Sequence, residues 1–146
     1  MRAVVQRVSQ ASVTVDDKII GKIGKGLLVL AAVHTDDSWD QVQWVADKIA
    51  RLRIFEDEEG KMNRSVEDVN GELLIVSQFT LYGEVKKGTR PSFITSARPE
   101  KAELIYEKMV EYLRDNYPMN VETGEFAAMM DVALVNDGPV TIIVEK

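Results

Sequence analysis

The chain has no cysteine and a single histidine, His34, in 146 residues. Without thiols there are no disulfides, no thiolate nucleophile and no thiolate metal site, and one imidazole cannot build a histidine-rich metal centre within a chain. Zinc is therefore not expected, and the sequence assigns no cofactor and no metal site. Long hydrophobic runs are missing too: Leu27 to Val33 is far short of the ~20 residues of a membrane-spanning helix. No charged-then-apolar leader precedes Ala3-Val4-Val5, so a cytoplasmic protein without a membrane partner is expected. Positive charge is in deficit, with 18 Lys and Arg against 24 Asp and Glu for a net −6. That balance disfavours nonspecific coating of nucleic acid, and no DNA partner is expected.

What is present reads as one domain, residues 1–146, with 45% hydrophobic and 29% charged residues. The N-terminal third is a succession of short strand signals: Ala3 to Val8, Ala11 to Val15, Ile19 to Ile23 and Leu27 to Val33. Asp16-Asp17 and Gly24-Lys25-Gly26 punctuate them with turn chemistry at hairpin spacing, which predicts an antiparallel meander. Asp36, Asp37 or Ser38 can cap a helix carrying Trp39, Val42, Ala46 and Ile49 on one face. Arg53 to Phe55 reads as a short strand and Met62 to Gly71 as irregular chain ending in the turn dipeptide Asn70-Gly71.

A second helix opens at Pro99, carries Ala102, Ile105, Tyr106, Met109, Val110 and Leu113 at helical spacing, and stops before Pro118. Met130 to Val135 and Val140 to Val144 supply two further strands. Seven or eight strands and two helices, with no helices between the first four strands, predict an α+β fold.

Two polar interruptions of apolar strands are the candidate site. Ser77-Gln78-Phe79-Thr80 follows Leu73 to Val76, and Asn136-Asp137-Gly138-Pro139 follows Val132 to Val135. Strand ends are where rigid scaffolds present chemistry. In an extended strand Gln78 and Thr80 would share a face, where an amide and a hydroxyl could meet one carbonyl. Thr80 as a β-favoured residue and Gln78 as an edge polar group remain an equally simple reading. A hydroxyl nucleophile needs a base, and His34 lies far away in sequence in what reads as an exposed loop, so no Ser/His/Asp triad can be argued. Gly138-Pro139 is either a plain reversal or a cis turn, since X-Pro is the bond that takes the cis form at modest cost.

Between Lys86 and Lys101 five basic residues (Lys86, Lys87, Arg90, Arg98, Lys101) face one acid, Glu100. Such a run is a solvated loop or a small phosphate-facing patch beside the first motif. The acidic run Glu56 to Glu59 abuts Gly60 and reads as a solvated turn without a catalytic role.

Ser77-Gln78-Phe79-Thr80-Leu81 and Asn136-Asp137-Gly138-Pro139-Val140-Thr141 together resemble the paired signatures of the D-aminoacyl-tRNA deacylases, the chiral-proofreading hydrolases. Gly26-Leu27-Leu28-Val29-Leu30, Leu52 to Asp57, Gly60 to Asn63 and Arg90-Pro91-Ser92-Phe93 match the same family in the same order, so the similarity spans essentially the whole chain.

The resemblance implies a mostly antiparallel, β-barrel-like subunit flanked by two main helices, and a homodimer with active sites at the subunit interface. It places Gly138-Pro139 in cis, reaching into the partner's site around Ser77, Gln78, Phe79 and Thr80, with Asn136 and Phe126 assisting selection. The substrate implied is D-aminoacyl-tRNA, with L side chains excluded sterically and glycyl-tRNA admitted. Lys86, Lys87 and Arg90 would contact tRNA. For catalysis, backbone N–H groups near Phe79 and Thr80 would polarise the ester carbonyl while the terminal ribose 2′-hydroxyl helps activate water; Gln78 would orient and Thr80 would support the pocket.

Two departures from the family pattern stand out. Phe126-Ala127-Ala128 occupies an expected Phe-Gly-Ala in the strand leading to the second motif, and Thr89 stands where a second Arg is common before Arg90. Two other readings compete. A hydrolase of free metabolites would leave the Lys86 to Lys101 charge unexplained. A noncatalytic RNA-binding dimer would give Gln78, Thr80 and Gly138-Pro139 no purpose.

Overall fold

A computed structural model describes residues 1–146. The sheet is built around one long strand, β1 (Arg2–Val15), which merges the two expected strands Ala3 to Val8 and Ala11 to Val15. Asp16 and Asp17 make the reversal, both at positive φ (47° and 60°), the conformation of a tight two-residue hairpin. The returning arm is β2 (Lys18–Ile23) followed by β3 (Gly26–Ala32), and both pair antiparallel with β1.

Gly24-Lys25-Gly26 therefore makes no reversal, contrary to the meander expected. Ala11 lies opposite Ile23 and Val8 opposite Gly26, so one register carries across Gly24-Lys25, and it shifts only nearer the hairpin, between Val13 and Thr14. Gly26 is required there by close approach: a Cβ would stand 2.0 Å from the Glu72 carbonyl oxygen.

Helix α1 (Trp39–Arg51) begins at Ser38 with a reciprocal capping box to Gln41 and buries Val42, Val45, Ala46, Ile49 and Ala50. The short pair β4 (Phe55–Glu56) and β5 (Met62–Arg64) follows, so part of the segment expected to be irregular is strand. Strand β6 (Glu72–Ser77) pairs parallel with β3, and β7 (Val121–Thr123) pairs parallel with β6, making the sheet mixed. Helix α2 (Pro99–Asn116) connects these two parallel strands and starts with proline in its first turn, as expected.

Strand β8 (Asp131–Glu145) runs antiparallel along the full length of β1. The two C-terminal strands expected on either side of the second motif are thus one strand, and the motif is an irregularity within it. The register with β1 slips between Gln6 and Val8 and again between Val8 and Gln10. Asn136, Asp137 and Thr141 supply side-chain and main-chain partners at this slip, so the strand continues through it.

Two cores explain the layering. Leu27, Val29, Ala31, Leu73 and Ile75 pack against α1 and α2, whereas the alternating Leu28, Leu74 and Val76 face Ala11, Val13 and Ile23 of the β1–β2 hairpin. Strands β3 and β6 are buried on both faces, which is why their sequences are continuous apolar runs rather than alternating ones. Ser9 and Gln10 are exposed in succession where the β1 pattern changes phase, and beyond them the hairpin folds over the sheet. The result is a sheet nearly closed into a barrel with two helices on its outer side.

Candidate active site

The C-terminal ends of β3 and β6, the loop Phe93–Ala97, the start of α2 and the loop Phe126–Met130 enclose a cavity of about 600 Å³. Its walls are largely apolar, with Ser77 and Gln78 as polar groups at the β6 end. Phe126 lies against Tyr106, whose hydroxyl donates to the Ile75 carbonyl at 2.7 Å. Burial pushes the Tyr106 phenol well above its ordinary range, so it stays a neutral donor and pins β6 to α2.

Past Ser77 the chain does not continue as a strand. Phe79–Tyr82 is one turn of 3-10 helix, with Gln78 at φ −143° and ψ 74° before it. The shared strand face expected for Gln78 and Thr80 is therefore absent. The two side chains still meet, because the turn folds them together and Gln78 Nε2 donates to Thr80 Oγ1 at 2.5 Å. The turn is tied to β3 by Gln78 N–H donating to the Ala31 carbonyl and closed by Leu81 and Gly83 N–H groups on the Gln78 and Thr80 carbonyls. The N–H groups of Phe79 and Thr80 open the turn and, as at any helix start, have no partner within it. Of the two residues, Phe79 lines the cavity. Phe79 is 53% exposed and meets Phe93 edge to face.

His34 is half-buried, a correction to the exposed loop residue expected. Its Nδ1 accepts from the Asp36 N–H and its ring packs edge-on to Tyr82, so it serves local structure. Burial, helped by Asp37 and Glu145, pushes the Tyr82 phenol up to about 12.

The second motif lies elsewhere. The Gly138-Pro139 bond is cis, and Gly138, Pro139 and Asp137 are exposed. Asn136 shapes the bend: its Oδ1 accepts from Val140 N–H and its Nδ2 donates to Thr141 Oγ1. Beneath it Arg7, only 6% exposed, donates to the Asp137 carbonyl at 3.0 Å and the Ile54 carbonyl at 2.7 Å. By register this bend sits opposite the middle of β1, level with Leu27 and Leu73, whereas Ser77 lies level with Ala31 and Ala3. Within one chain the two motifs are not brought together.

Phe126, Ala127 and Ala128 form a loop rather than a strand, a further correction, and all three line the cavity. Ala127 has φ 61°, a conformation that costs an alanine but not a glycine. Lys86, Lys87 and Arg90 are exposed on the loop after the 3-10 turn. Glu84, just outside the basic stretch, bonds the Lys86 N–H and pairs with its ammonium at 3.3 Å, which holds the Glu84 carboxyl below its ordinary value. Lys101 donates to the Thr35 carbonyl.

Sequence reasoning passed over Arg7 and Arg2. The signal for Arg7 was legible: Ala3, Val5 and Arg7 alternate onto one face of β1, and a charge where the pattern asks for an apolar residue needs buried partners. No such signal marks Arg2.

The rolled mixed sheet and two helices describe a small α+β unit with a cavity at strand termini. Residues 4–145 match the family model described as D-Tyr-tRNA(Tyr) deacylase. The chain is 56% identical over its full length to a D-aminoacyl-tRNA deacylase of Petrotoga mobilis, covering 97% of that protein, and 59% identical to one of Exiguobacterium sibiricum, covering all of it. A solved c-Myc DNA Unwinding Element Binding Protein superposes with a TM-score of 0.95 at 44% identity, over 100% of this chain and 99% of that one. A probable eukaryotic D-amino acid tRNA deacylase shares the fold, with a TM-score of 0.83 at 20% identity over 99% and 98% of the two chains. The chain belongs to the D-aminoacyl-tRNA deacylase family.

Proposed function

We propose that this protein hydrolyses the ester bond of D-aminoacyl-tRNA, releasing the free D-amino acid and tRNA. The full-length family match carries this reading. The apolar cavity beside the Ser77–Thr80 turn gives the reaction a place. Water adds to the ester carbonyl, the carbonyl oxygen gains charge opposite the Phe79 and Thr80 N–H groups, and the C–O bond to the ribose breaks with a proton passing to the leaving oxygen. Thr80 Oγ1 is held by Gln78 and no imidazole approaches it, which favours attack by water assisted by the ribose 2′-hydroxyl over a covalent acyl-enzyme.

Stereochemical selection is assigned to Gly138-Pro139 supplied by a second copy of the chain. The exposure of this segment, and of Leu134, Val135 and Ile143 on the same strand, supports a homodimer in which β8 is covered. Carbonyls of the bend would receive the α-amino group and leave no room for an L side chain, while glycine, having none, would enter. The exposed Lys86, Lys87 and Arg90 would meet the tRNA backbone. In the proposed cytoplasmic setting no helix is long and apolar enough to cross a membrane.

Ester loss from D-tyrosyl-tRNA and L-tyrosyl-tRNA, followed in parallel, tests the proposal. Rapid loss of the D form alone is expected, slowed strongly when the terminal ribose lacks its 2′-hydroxyl. Equal rates on both stereoisomers would overturn the selection argument, and no loss from either would overturn the activity.

A further inference from the structure

The 3-10 turn that carries Phe79 and Thr80 is held from its far side by the second residue of the chain. Arg2 Nη1 donates to the Leu81 carbonyl at 2.7 Å, and the same guanidinium meets Glu145 through Nε and Nη2 at 3.1 and 3.2 Å. Its plane lies over the Tyr82 ring, with Cζ 4.8 Å from the centroid. One planar fork therefore ties β1, β8 and the turn together. A lysine ammonium, a point charge without the fork, cannot hold all three at once.

We propose that Arg2 is a positioning residue for the reaction: anchored on Glu145, its guanidinium fixes the Leu81 carbonyl and with it the pose of the Phe79 and Thr80 N–H groups beside the cavity. This rests on the deacylase reading above. Tyr82 packs on His34 and Phe79 on Phe93, but these are ring contacts, and the hydrogen bond from outside the turn to the Leu81 carbonyl is that of Arg2. The turn's leading end is bonded to Ala31, its interior bonds are its own, and Phe79 and Thr80 are exposed. Oxyanion donors act only when preorganised, and a displacement of an ångström is costly to the chemical step.

The Arg2 and Glu145 side chains are 34% and 46% exposed, so their ion pair contributes little to global stability. What the clamp supplies is geometry, and that separates its role from a merely structural one.

The test compares Arg2→Lys, Arg2→Gln and Glu145→Gln with the unaltered protein on D-tyrosyl-tRNA. Melting temperature and backbone amide exchange are measured on the same samples. The expected result for both Arg2 variants is a fall in kcat of about ten-fold or more with KM changed by less than about two-fold. Melting should move by no more than about 2 °C. Exchange at Leu81 and Gly83 should quicken by about ten-fold while Ile75 in β6 is unchanged. Glu145→Gln, which weakens the anchor only, should cost about two- to three-fold in kcat.

Unchanged kcat in both Arg2 variants, or a kcat loss that tracks a fall in melting temperature, would overturn the inference. If the unaltered protein leaves D-tyrosyl-tRNA intact, the deacylase reading fails by itself. The exchange data then still decide whether Arg2 holds the turn: unaltered exchange at Leu81 and Gly83 would sink it.

Discussion

The turn after β6 and the bend within β8 are both polar interruptions of apolar strands, yet they are opposite kinds of surface. The turn borders a cavity that its own chain builds from β3, β6, α2 and the Phe126–Met130 loop. The bend faces outward, with Gly138 and Pro139 exposed and only Arg7 beneath them. One is a finished pocket wall and the other an unpartnered projection. On the proposed function, each is half of a site that requires two copies of the chain.

Changes at the bend should have the largest effect. Gly138 has φ +133°, and a Cβ there would stand 2.8 Å from Val140 Cγ2 and 3.0 Å from Arg7 Nη2. Gly138→Ala should therefore destabilise the fold by about 1–3 kcal/mol, read from urea unfolding. It should also lower hydrolysis of D-tyrosyl-tRNA by about a hundred-fold under conditions where the protein remains folded. A stability loss with full activity would make the bend purely structural and dissolve the comparison.

The basic loop beside the turn should have a smaller and different effect. Replacing Lys86, Lys87 and Arg90 by Glu should raise KM by about ten-fold or more and leave kcat within about two-fold, with a reduced salt dependence of KM. A collapse of kcat at constant KM would move this loop into the chemistry.

Thr80→Ala sharpens the comparison from the turn side. Its hydroxyl is engaged by Gln78 and meets no base, so activity should fall by less than about five-fold. Mass spectrometry during turnover should find no acyl adduct on residue 80 of the unaltered protein, and an adduct there would replace water attack with covalent catalysis.

The smallest effect is expected at Ala127 in the cavity loop. With φ 61°, this residue gains from losing its methyl group, so Ala127→Gly should stabilise the protein by up to about 1 kcal/mol in the same unfolding measurement. Destabilisation instead would show that the methyl packs usefully in the cavity wall.

How much of this was legible in the sequence depended on whether the signal was local. The Asp16-Asp17 reversal, the Ser38 cap and the two amphipathic helices are set by residues within a few positions of one another, and each formed where expected. The β6 strand was legible from Leu73 to Val76, but its parallel pairing with β3 depends on the crossover through α1 and carries no local mark.

The errors share a cause. Gly24-Lys25-Gly26 and Asn136 to Pro139 have turn composition, yet both lie beside the long strand β1, whose pairing carries the chain straight through them. A shared strand face was anticipated for Gln78 and Thr80; they meet directly instead, in a 3-10 turn that begins where Gln78 bonding to the Ala31 carbonyl ends the β6 ladder. Arg2 escaped notice because its partners, Leu81 and Glu145, are distant in sequence.

The central claim is that a working site takes its cavity from one chain and its bend from another. It is tested most directly by mixing two defective variants. Ala102→Phe fills the cavity from α2 and leaves the bend intact, whereas Gly138→Ala damages the bend and leaves the cavity intact. Each alone should be nearly inactive. Unfolded and refolded together in equal amounts, they should recover roughly a quarter of the unaltered rate on D-tyrosyl-tRNA, because half the dimers are mixed and each mixed dimer holds one intact site. Activity no greater than the sum of the separate variants, in a sample shown to contain mixed dimers, would contradict the account.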